Sequence, residues 1–384
     1  MNPARIKALA YKEWREILRD RLFLALAFIL PVSMMLIFGY GIMMDVENIP
    51  FAVLDQDRTA MSRDYLHLFM DSRYFDYKGH VQSERELEPL LADSKIRFAI
   101  IVPPKFQENL KAARPVAVQS LIDGTFPFRT STSKGYVIAI NNAFNGKLLA
   151  GFISRKMGIP PEQAAALAGP VKVQLRYLYN QEIKSIWSVA PSMMMFVLLM
   201  TPPFLTALGV VREKENGSIY NIYSSTVTRA EFLIGKLLPY LGISIINVII
   251  LWLMAVLVFA APFKGDPLFF FLASVVYVSC TTGIGLLVSL FARTQVAAMM
   301  ITVIVTIVPA VLYSGLLVPI ASMDAASQFE AHLFPAMYYT DIVLGSFLKG
   351  IGVGQLWGRV GALLFYSGVL WTASYLLFHK RVRS

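Results

Sequence analysis

The stretch SIWSVAPSMMMFVLLMTPPFLTALGVVREKENG, residues Ser185 to Gly217, decides the fold of this chain. Its first part, from Ser185 to Val211, carries no charge, and four consecutive charged residues follow it. An α-helix rises about 1.5 Å per residue, so about 20 apolar residues cross the roughly 30 Å hydrocarbon layer of a bilayer. The stretch therefore predicts a membrane-spanning helix that ends at an abrupt polar boundary.

Five further apolar runs have comparable length, and together they give six predicted spans: residues 22–44, 185–211, 237–263, 267–292, 294–323 and 358–378. Hydrophobic residues make up 56% of the 384 residues and charged residues only 16%. The mean hydropathy of +0.57 is too high for a soluble globular domain. The sequence therefore predicts an α-helical polytopic membrane protein with six transmembrane helices, the first of them retained rather than cleaved as a signal.

Lysine and arginine residues flank these spans unevenly. They are frequent in residues 1–21, 212–236 and 379–384, whereas residues 264–266 and 324–357 are poor in them. Because basic residues favour cytoplasmic loops, we expect both termini in the cytoplasm, residues 1–21 as an amphipathic helix on the inner surface and residues 379–384 as a tail. The net charge of +10 reflects this topology and does not indicate nucleic-acid binding.

Residues 45–184 are then predicted to form an extracytoplasmic α/β domain inserted between the first two spans. Three β-branched runs have strand length, and helical spacing lies between them: Ile49–Asp55, Ile96–Val102 and Val116–Asp123. Residues 171–179 alternate between polar and apolar side chains, which predicts a strand that leads back to the membrane.

Two other apolar stretches are predicted not to span. Residues 136–154 contain three asparagines and a lysine, which favours a helix docked on the surface of the outer domain. Asp341 and Lys349 interrupt residues 324–357, which we interpret as a re-entrant or interfacial region on the outer side.

The sequence lacks patterns for catalysis or metal binding. Both Gly-Lys pairs, Gly146-Lys147 and Gly235-Lys236, lack the upstream glycine of a phosphate-binding loop and are followed by leucine. The four histidines have no ligand spacing, and Cys280 is the single cysteine. No ionisable residue lies within the predicted span cores, which argues against a proton-coupled carrier. We therefore predict no catalytic residue, no metal site and no bound cofactor in this chain.

Three features admit two interpretations each. The charged segment 212–236 is either a solvated hairpin or a docking site. The second span offers a soft surface that either fills gaps between helices or contacts apolar ligands, formed by Met193, Met194, Met195 and Met200. Thr281, Gly285 and Ser289 recur at every fourth position, which predicts close helix packing either within one chain or across a dimer.

The segment REKENGSI, followed by TVTRAEFLIGKLLPY, resembles the cytoplasmic loop of ABC-2-type export permeases, in the multidrug-type branch with a large outer domain between spans one and two. The stretches AVLDQDRTAMSRDYL, LYSGLLVPIASM and FPAMYYTDIVLGSFLKG resemble the same branch, so the similarity covers nearly the whole chain. Two positions depart from the family pattern, since Tyr220 replaces a common acidic residue and Thr226 stands near a common proline.

This resemblance implies a permease subunit of the bacterial inner membrane that pairs with a second permease, identical or homologous. It also implies separate ABC ATPase subunits that carry ATP and Mg²⁺, and in many members a periplasmic adaptor and an outer-membrane channel. The ATPase-coupling element would then consist of Arg212, Glu213, Lys214, Glu215, Asn216 and Gly217.

We therefore predict an exporter of hydrophobic or amphipathic small molecules, drug-like or lipid-like, that move out of the cytoplasm or inner leaflet. Membrane lipid is the immediate surrounding of such a chain. Spans two and five are expected to line the path, with Met193, Met194, Phe196 and Tyr313 as substrate contacts. The alternatives are a mechanotransmission subunit that drives the outer domain without transport, and a receptor or anchor for a surface polymer.

Overall fold

The computed structural model describes residues 1–42, 46–169, 178–218, 226–316 and 318–378, the side chains of residues 127 and 128 excepted. The chain divides into two compact units, residues 1–43 with 177–384, and residues 44–176. The second unit corresponds to the predicted insertion. The compact unit ends at residue 176, whereas the predicted domain ends at residue 184.

The first unit begins with helices α1 (Pro3–Arg19) and α2 (Arg21–Gly41). Asp20 separates the two helices, because its backbone is extended. Its carboxylate accepts a hydrogen bond from the Phe23 N–H at 3.1 Å and so caps the start of α2. The predicted amphipathic helix at residues 1–21 is therefore present as a separate element.

Helix α2 contains a π-helical turn, Ala25–Ile29, just before Pro31. Proline has no backbone N–H, so the carbonyl of Ala27 loses its usual donor four residues on. Asn247 supplies the missing donor, with its Nδ2 2.9 Å from that carbonyl oxygen. A side chain of the third span thus satisfies the backbone of the first.

The second unit is an α/β domain. Its elements are β1 (Ile49–Asp55), α3 (Ala60–Met70), β2 (Phe75–His80), α4 (Glu84–Ala92), β3 (Phe98–Val102), α5 (Phe106–Lys111), β4 (Gln119–Ile122), α6 (Pro127–Met157) and α7 (Pro161–Ala168). The strands form a four-stranded sheet of order β2-β1-β3-β4. Strands β2 and β3 run parallel to β1, whereas β4 runs antiparallel to β3.

The three predicted strands are confirmed as β1, β3 and β4, and β2 is an additional strand. Its sequence FDYKGH is half polar, because β2 is an edge strand with only Phe75 fully buried. The apolar stretch at residues 136–154 is part of α6, whose Phe144 packs edge-on against Tyr65. The strand predicted at residues 171–179 falls mainly on residues 170–177, which lie outside the described part of the chain.

The remaining helices of the first unit follow in chain order: α8 (Ile186–Glu215), α9 (Arg229–Val258), α10 (Pro267–Phe291), α11 (Gln295–Tyr313), α12 (Ala325–His332), α13 (Pro335–Leu344) and α14 (Val353–Leu377). Six helices of the described residues are long and apolar enough to cross a membrane: α2, α8, α9, α10, α11 and α14. The predicted fold class is therefore confirmed.

Helix α8 is the central helix of this unit. In its most apolar window 89% of the residues are buried, against 17–61% for the other five helices. It contacts α2, α9, α10, α11 and α13. Gly285 of α10 packs directly against the backbone of α8, because a Cβ atom there would lie 2.3 Å from the carbonyl oxygen of Pro203. The small-residue stripe thus serves a contact within one chain, which the sequence left open.

Several boundaries differ from those predicted. Helix α8 continues through Glu215 and α9 begins at Arg229, so most of the described part of segment 212–236 is helical. Thr228 forms a capping box with Glu231, which starts α9 a full two turns before residue 237. Helix α11 ends at Tyr313, and residues 324–357 contain α12, α13 and a π-helical turn, Gly345–Lys349, before α14 begins. Residues 379–384 lie outside the described part.

Candidate functional site

Helix α1 lies along the first turns of α9. Glu231 Oε1 accepts a hydrogen bond from the backbone N–H of Asn2 at 2.6 Å, and Gly235 leaves room for the approach. A Cβ atom at Gly235 would lie 2.8 Å from Leu9 Cβ and 3.0 Å from the Ile6 carbonyl oxygen. The N-terminal helix is therefore fixed to the third span by a backbone cap and by close packing.

A buried charge cluster joins α1, α8 and α9 at this end of the unit. Glu13 is 4% exposed, Glu213 is 6% exposed and Lys236 is 3% exposed. Lys236 Nζ lies 2.6 Å from Glu13 Oε2 and 3.1 Å from Glu213 Oε1. Buried charges of this kind are held only when they are paired and hydrogen-bonded, so one ammonium ties three helices together.

Tyr240 and Lys12 complete the cluster. The Tyr240 hydroxyl donates to Glu13 Oε1, and Lys12 Nζ lies 3.1 Å from Glu213 Oε1. The tyrosine ring fits because position 209 of α8 is glycine, where a Cβ atom would overlap the Tyr240 hydroxyl. Glycine at this position therefore serves a close contact between helices rather than backbone flexibility.

The two cluster residues on α1, Lys12 and Glu13, both have raised pKa values. Burial raises the pKa of the Glu13 carboxyl, and Lys236 and the Tyr240 hydroxyl oppose that rise only in part. Partial burial lowers the pKa of the Lys12 ammonium, but the neighbouring Glu213 carboxylate outweighs it, so the net pKa is raised. Lys12 is therefore a permanent cation at neutral pH.

The six residues predicted to form the coupling element occupy the last turn of α8 and the residues after it. Arg212 pairs with Asp20 at 2.6 Å, and Glu215 accepts a hydrogen bond from Gln295 Nε2 at 2.5 Å. Lys214 donates to the Ser289 carbonyl oxygen. Asn216 caps the helix, and Gly217 follows with a φ of 71°, which glycine adopts without strain.

The six residues of the predicted coupling element differ in solvent exposure. Arg212, Glu215 and Asn216 are exposed, whereas Glu213 turns inward to Lys12 and Lys236. In this conformation Glu213 is therefore not available to a separate subunit, whereas the pairs of Arg212 and Glu215 lie at the surface. Of the two positions that depart from the family pattern, Tyr220 lies outside the described residues, and the carbonyl oxygen of Thr226 accepts from Arg5.

The cluster borders a cavity of about 710 Å³ between α1, α2, α8 and α9. The carboxylates of Glu13, Glu16 and Glu213 come within 4.8 Å of one another there. Three carboxylate oxygens this close together could ligate a metal ion, but the ammonium groups of Lys12 and Lys236 already contact them. The donor set is therefore that of an ion-pair network rather than of a metal site.

Sequence reasoning missed this cluster, since Glu213 and Lys236 were assigned to an exposed loop. One signal was present, because Leu9, Glu13 and Ile17 follow one another at four-residue intervals on α1. An acidic residue in an apolar stripe of a helix requires a buried partner. The partner's identity depended on how the three helices pack.

The predicted substrate contacts lie in a different part of the same unit. Met193 and Met194 are fully buried in the core around α8, and Phe196 packs edge-on against Phe38 of α2 at 5.8 Å. Tyr313 is half-buried at the end of α11, where its hydroxyl donates to Glu330 and its ring stacks on Phe334. In this conformation the three α8 side chains fill space between helices.

Six helices long and apolar enough to cross a membrane and one inserted α/β domain define the architecture of a polytopic membrane protein. Residues 21–376 match the sequence model of the family described as "ABC-2 family transporter protein". The match covers most of the chain, which therefore belongs to the ABC-2 transporter family. It is a permease subunit of an ABC exporter, and ATP hydrolysis belongs to a separate subunit.

The chain is also similar to curated proteins along nearly its full length. It is 27% identical to "Probable multidrug ABC transporter permease YbhS" of Escherichia coli (strain K12), over 96% of both chains. It is 25% identical to "Probable multidrug ABC transporter permease YbhR" of the same strain, over 98% of this chain and 99% of that one. It is 24% identical to "Inner membrane transport permease YhhJ", over 87% and 86% of the two chains.

Proposed function

We propose that this permease exports hydrophobic or amphipathic small molecules, drug-like or lipid-like, across a bacterial inner membrane. The relatives' names, multidrug permease and inner membrane transport permease, support this substrate class and this membrane. In the proposed assembly two permease subunits, identical or homologous, work with ABC ATPase subunits that bind ATP and Mg²⁺. Both termini face the cytoplasm, which the excess of Lys and Arg at the α1 end supports.

The observation that carries the coupling proposal is the arrangement of charge at the end of α8. Arg212 and Glu215 are exposed and are held only by side-chain pairs at the surface. Surface pairs of this kind contribute about 0–1 kcal/mol, so a subunit that docks there can replace them at small cost. We assign these two residues, with Asn216 and Gly217, to the surface that meets the ATPase.

Glu213 then has a different part in the same process. It is buried between Lys12 and Lys236, so separating α8 from α1 and α9 would leave charges unpaired in the interior. The three helices therefore resist separation and are expected to move together when the ATPase pushes on the end of α8. Since α8 is one continuous helix, a push at Glu215 is transmitted along it to Pro202 and Pro203, where the helix can bend.

The substrate path is proposed along α8 and α11, which contact each other. Pro191, Pro202 and Pro203 interrupt the hydrogen bonds of α8, and Pro309 does the same in α11. These positions allow the helices to bend apart, which would expose Met193, Met194 and Phe196 toward Tyr313. The α/β domain is the proposed docking surface for a periplasmic adaptor and, through it, an outer-membrane channel.

Two experiments test this function. Affinity purification in mild detergent, followed by mass spectrometry, is expected to recover a nucleotide-binding subunit together with the chain. Inverted membrane vesicles that contain both subunits are expected to accumulate a fluorescent amphipathic dye only when ATP is supplied. If ATP hydrolysis occurred but no compound crossed the membrane, and deleting residues 50–176 abolished the cellular function, the mechanotransmission alternative would replace export.

A further inference from the structure

The cavity beside the charge cluster has an unusual combination of groups. Its acidic and basic side chains are equal in number, four of each: Glu13, Glu16, Asp20 and Glu213, with Lys12, Arg19, Arg21 and Arg212. Among the described residues, ion pairs within the chain neutralise only some of these side chains. Arg212 is paired with Asp20, whereas Arg19 and Arg21 are exposed at the rim.

An acceptor without a donor lies behind the inner wall of the cavity. Glu213 is more than nine-tenths buried, and its Oε2 has no hydrogen-bond partner among the residues that the structure describes. Its other oxygen already serves both Lys12 and Lys236. Three carboxylates face two ammoniums in this part, so one negative charge remains. A buried carboxylate oxygen of this kind calls for an N–H donor that carries positive charge.

The rim of the cavity offers the opposite chemistry beside an apolar surface. Arg19 and Arg21 present guanidinium groups suited to a phosphate. Leu22 and Phe23, the first apolar residues of α2, line the same cavity. A second depression of about 360 Å³ shares these two residues, has the polar residues Asp20, Arg212, Asn216 and Gln295 on one side, and adds Leu26 and Leu208 on the other. Its apolar residues extend the apolar surface from the rim along the first span.

We propose that this cavity binds the phosphoethanolamine headgroup of a membrane phospholipid. The primary ammonium lies among Glu13, Glu16 and Glu213 and donates to Glu213 Oε2 after a rotation of that carboxylate, whose Oε2 is closed to water-sized groups in this conformation. The phosphate lies between Arg19 and Arg21. The apolar residues that run from Leu22 to Leu26 receive the upper part of an acyl chain. A lipid is favoured over a soluble phosphoethanolamine ester because the cavity opens beside the exposed Leu22, which is 71% exposed on the first span.

Phosphatidylcholine supplies the decisive comparison. It carries the same phosphate and the same net charge, but its trimethylammonium group has no N–H to donate. The purified full-length chain would be exposed to matched mixtures of phosphatidylethanolamine, phosphatidylcholine and phosphatidylglycerol, and the retained lipids would be counted by native mass spectrometry. We expect phosphatidylethanolamine to bind at least about tenfold more tightly than either of the other two, the effect of one charge-assisted hydrogen bond.

Variants separate the two ends of the headgroup. Glu213→Gln is expected to bring the ethanolamine-to-choline ratio close to one, whereas the matched control Glu215→Gln, outside the cavity, leaves the ratio unchanged. Arg21→Gln is expected to weaken both lipids alike and keep the ratio. If Glu213→Gln fails to fold, Glu16→Gln serves instead, since Glu16 is exposed, and a two- to threefold fall in the ratio is expected.

Three outcomes would overturn the proposal. Equal retention of phosphatidylethanolamine and phosphatidylcholine by the unmodified chain would show that no N–H donor is needed. Displacement of the lipid by micromolar glycerophosphoethanolamine would identify a soluble ligand instead. Binding of Mg²⁺ without any lipid preference would identify a metal site. The readout needs neither ATPase nor transport, so it does not depend on the proposed function.

Discussion

Lys236 Nζ and Glu13 Oε2 lie 2.6 Å apart in the interior, although 223 positions separate the two residues in the sequence. This pair connects the N-terminal helix to the third span, and Glu213 brings the end of the second span to the same point. The end of the helical unit at which an ATPase is proposed to dock is therefore formed by three helices, α1, α8 and α9, that ion pairs join. The predictions below test that group and the packing that supports it.

Lys236→Met should destabilise the chain strongly. The substitution leaves Glu13 and Glu213 buried with too little positive charge, and breaking a buried pair in this way costs about 3–5 kcal/mol. Thermal unfolding in detergent measures the loss. Adding Glu13→Gln to Lys236→Met should recover part of the stability. The control Lys7→Met, which removes an exposed lysine of α1, should have little effect. A melting temperature that did not change in Lys236→Met would contradict the buried pair.

Gly285→Ala should disturb the contact between α8 and α10. A Cβ atom at this position would meet the Pro203 backbone at 2.3 Å, and a backbone atom cannot turn aside as a side chain does. Overpacking of this kind costs about 1–3 kcal/mol. Gly361→Ala is the matched control, because nothing lies within 4 Å of a Cβ atom there. Equal melting temperatures for the two variants would count against this helix contact.

Asn247→Leu should weaken the attachment of the first span to the third. It removes the donor to the Ala27 carbonyl, which the helix itself does not satisfy because of Pro31. Interhelical hydrogen bonds in membranes are worth about 0.5–2 kcal/mol, so we expect a modest loss of thermal stability. Asn142→Leu, an exposed asparagine of the α/β domain, is the control. A loss in Asn142→Leu as large as that in Asn247→Leu would remove the argument.

Arg212→Glu and Glu215→Lys should each uncouple ATP hydrolysis from transport while the purified chain keeps its melting temperature. Both side chains are exposed, so reversing their charge costs little in the isolated chain but changes the surface offered to the ATPase. Dye accumulation in inverted vesicles and substrate-stimulated ATP hydrolysis measure the effect. Lys7→Glu serves as an exposed charge reversal away from this surface. Unchanged coupling in both Arg212→Glu and Glu215→Lys would place the ATPase contact elsewhere.

The α/β domain should lose stability in acid through Asp57. Partial burial alone would raise the pKa of this carboxyl, but hydrogen bonds from Thr59 and from the amides of Gln107 and Phe106 hold it below its usual value. A depressed pKa contributes stability that is present above about pH 4 and is lost as the pH falls through the folded value. The difference in melting temperature between the unmodified chain and Asp57→Asn should therefore be present at pH 7 and shrink below pH 4. A constant difference would contradict this assignment.

The sequence by itself determined the class of the protein. Uncharged runs long enough to cross a bilayer predicted all six candidate spans, and β-branched runs predicted three of the four strands, because hydropathy and strand propensity are local properties of the chain. The apolar runs do not mark the ends of the helices, since α8 continues through the charged residues to Glu215 and α9 begins at Arg229, before the apolar run from residue 237.

Only the tertiary structure decided what the charged residues do. The sequence places Glu213 and Glu215 two positions apart in a polar segment, yet the first is buried against Lys12 and Lys236, whereas the second is exposed beside Gln295. Residues two positions apart on a helix point in different directions. Only the packing of α1 and α9 against α8 determines which of these directions is the interior. The same packing places Gly209 beside Tyr240 and Gly285 beside Pro203, contacts between residues that no local pattern connects.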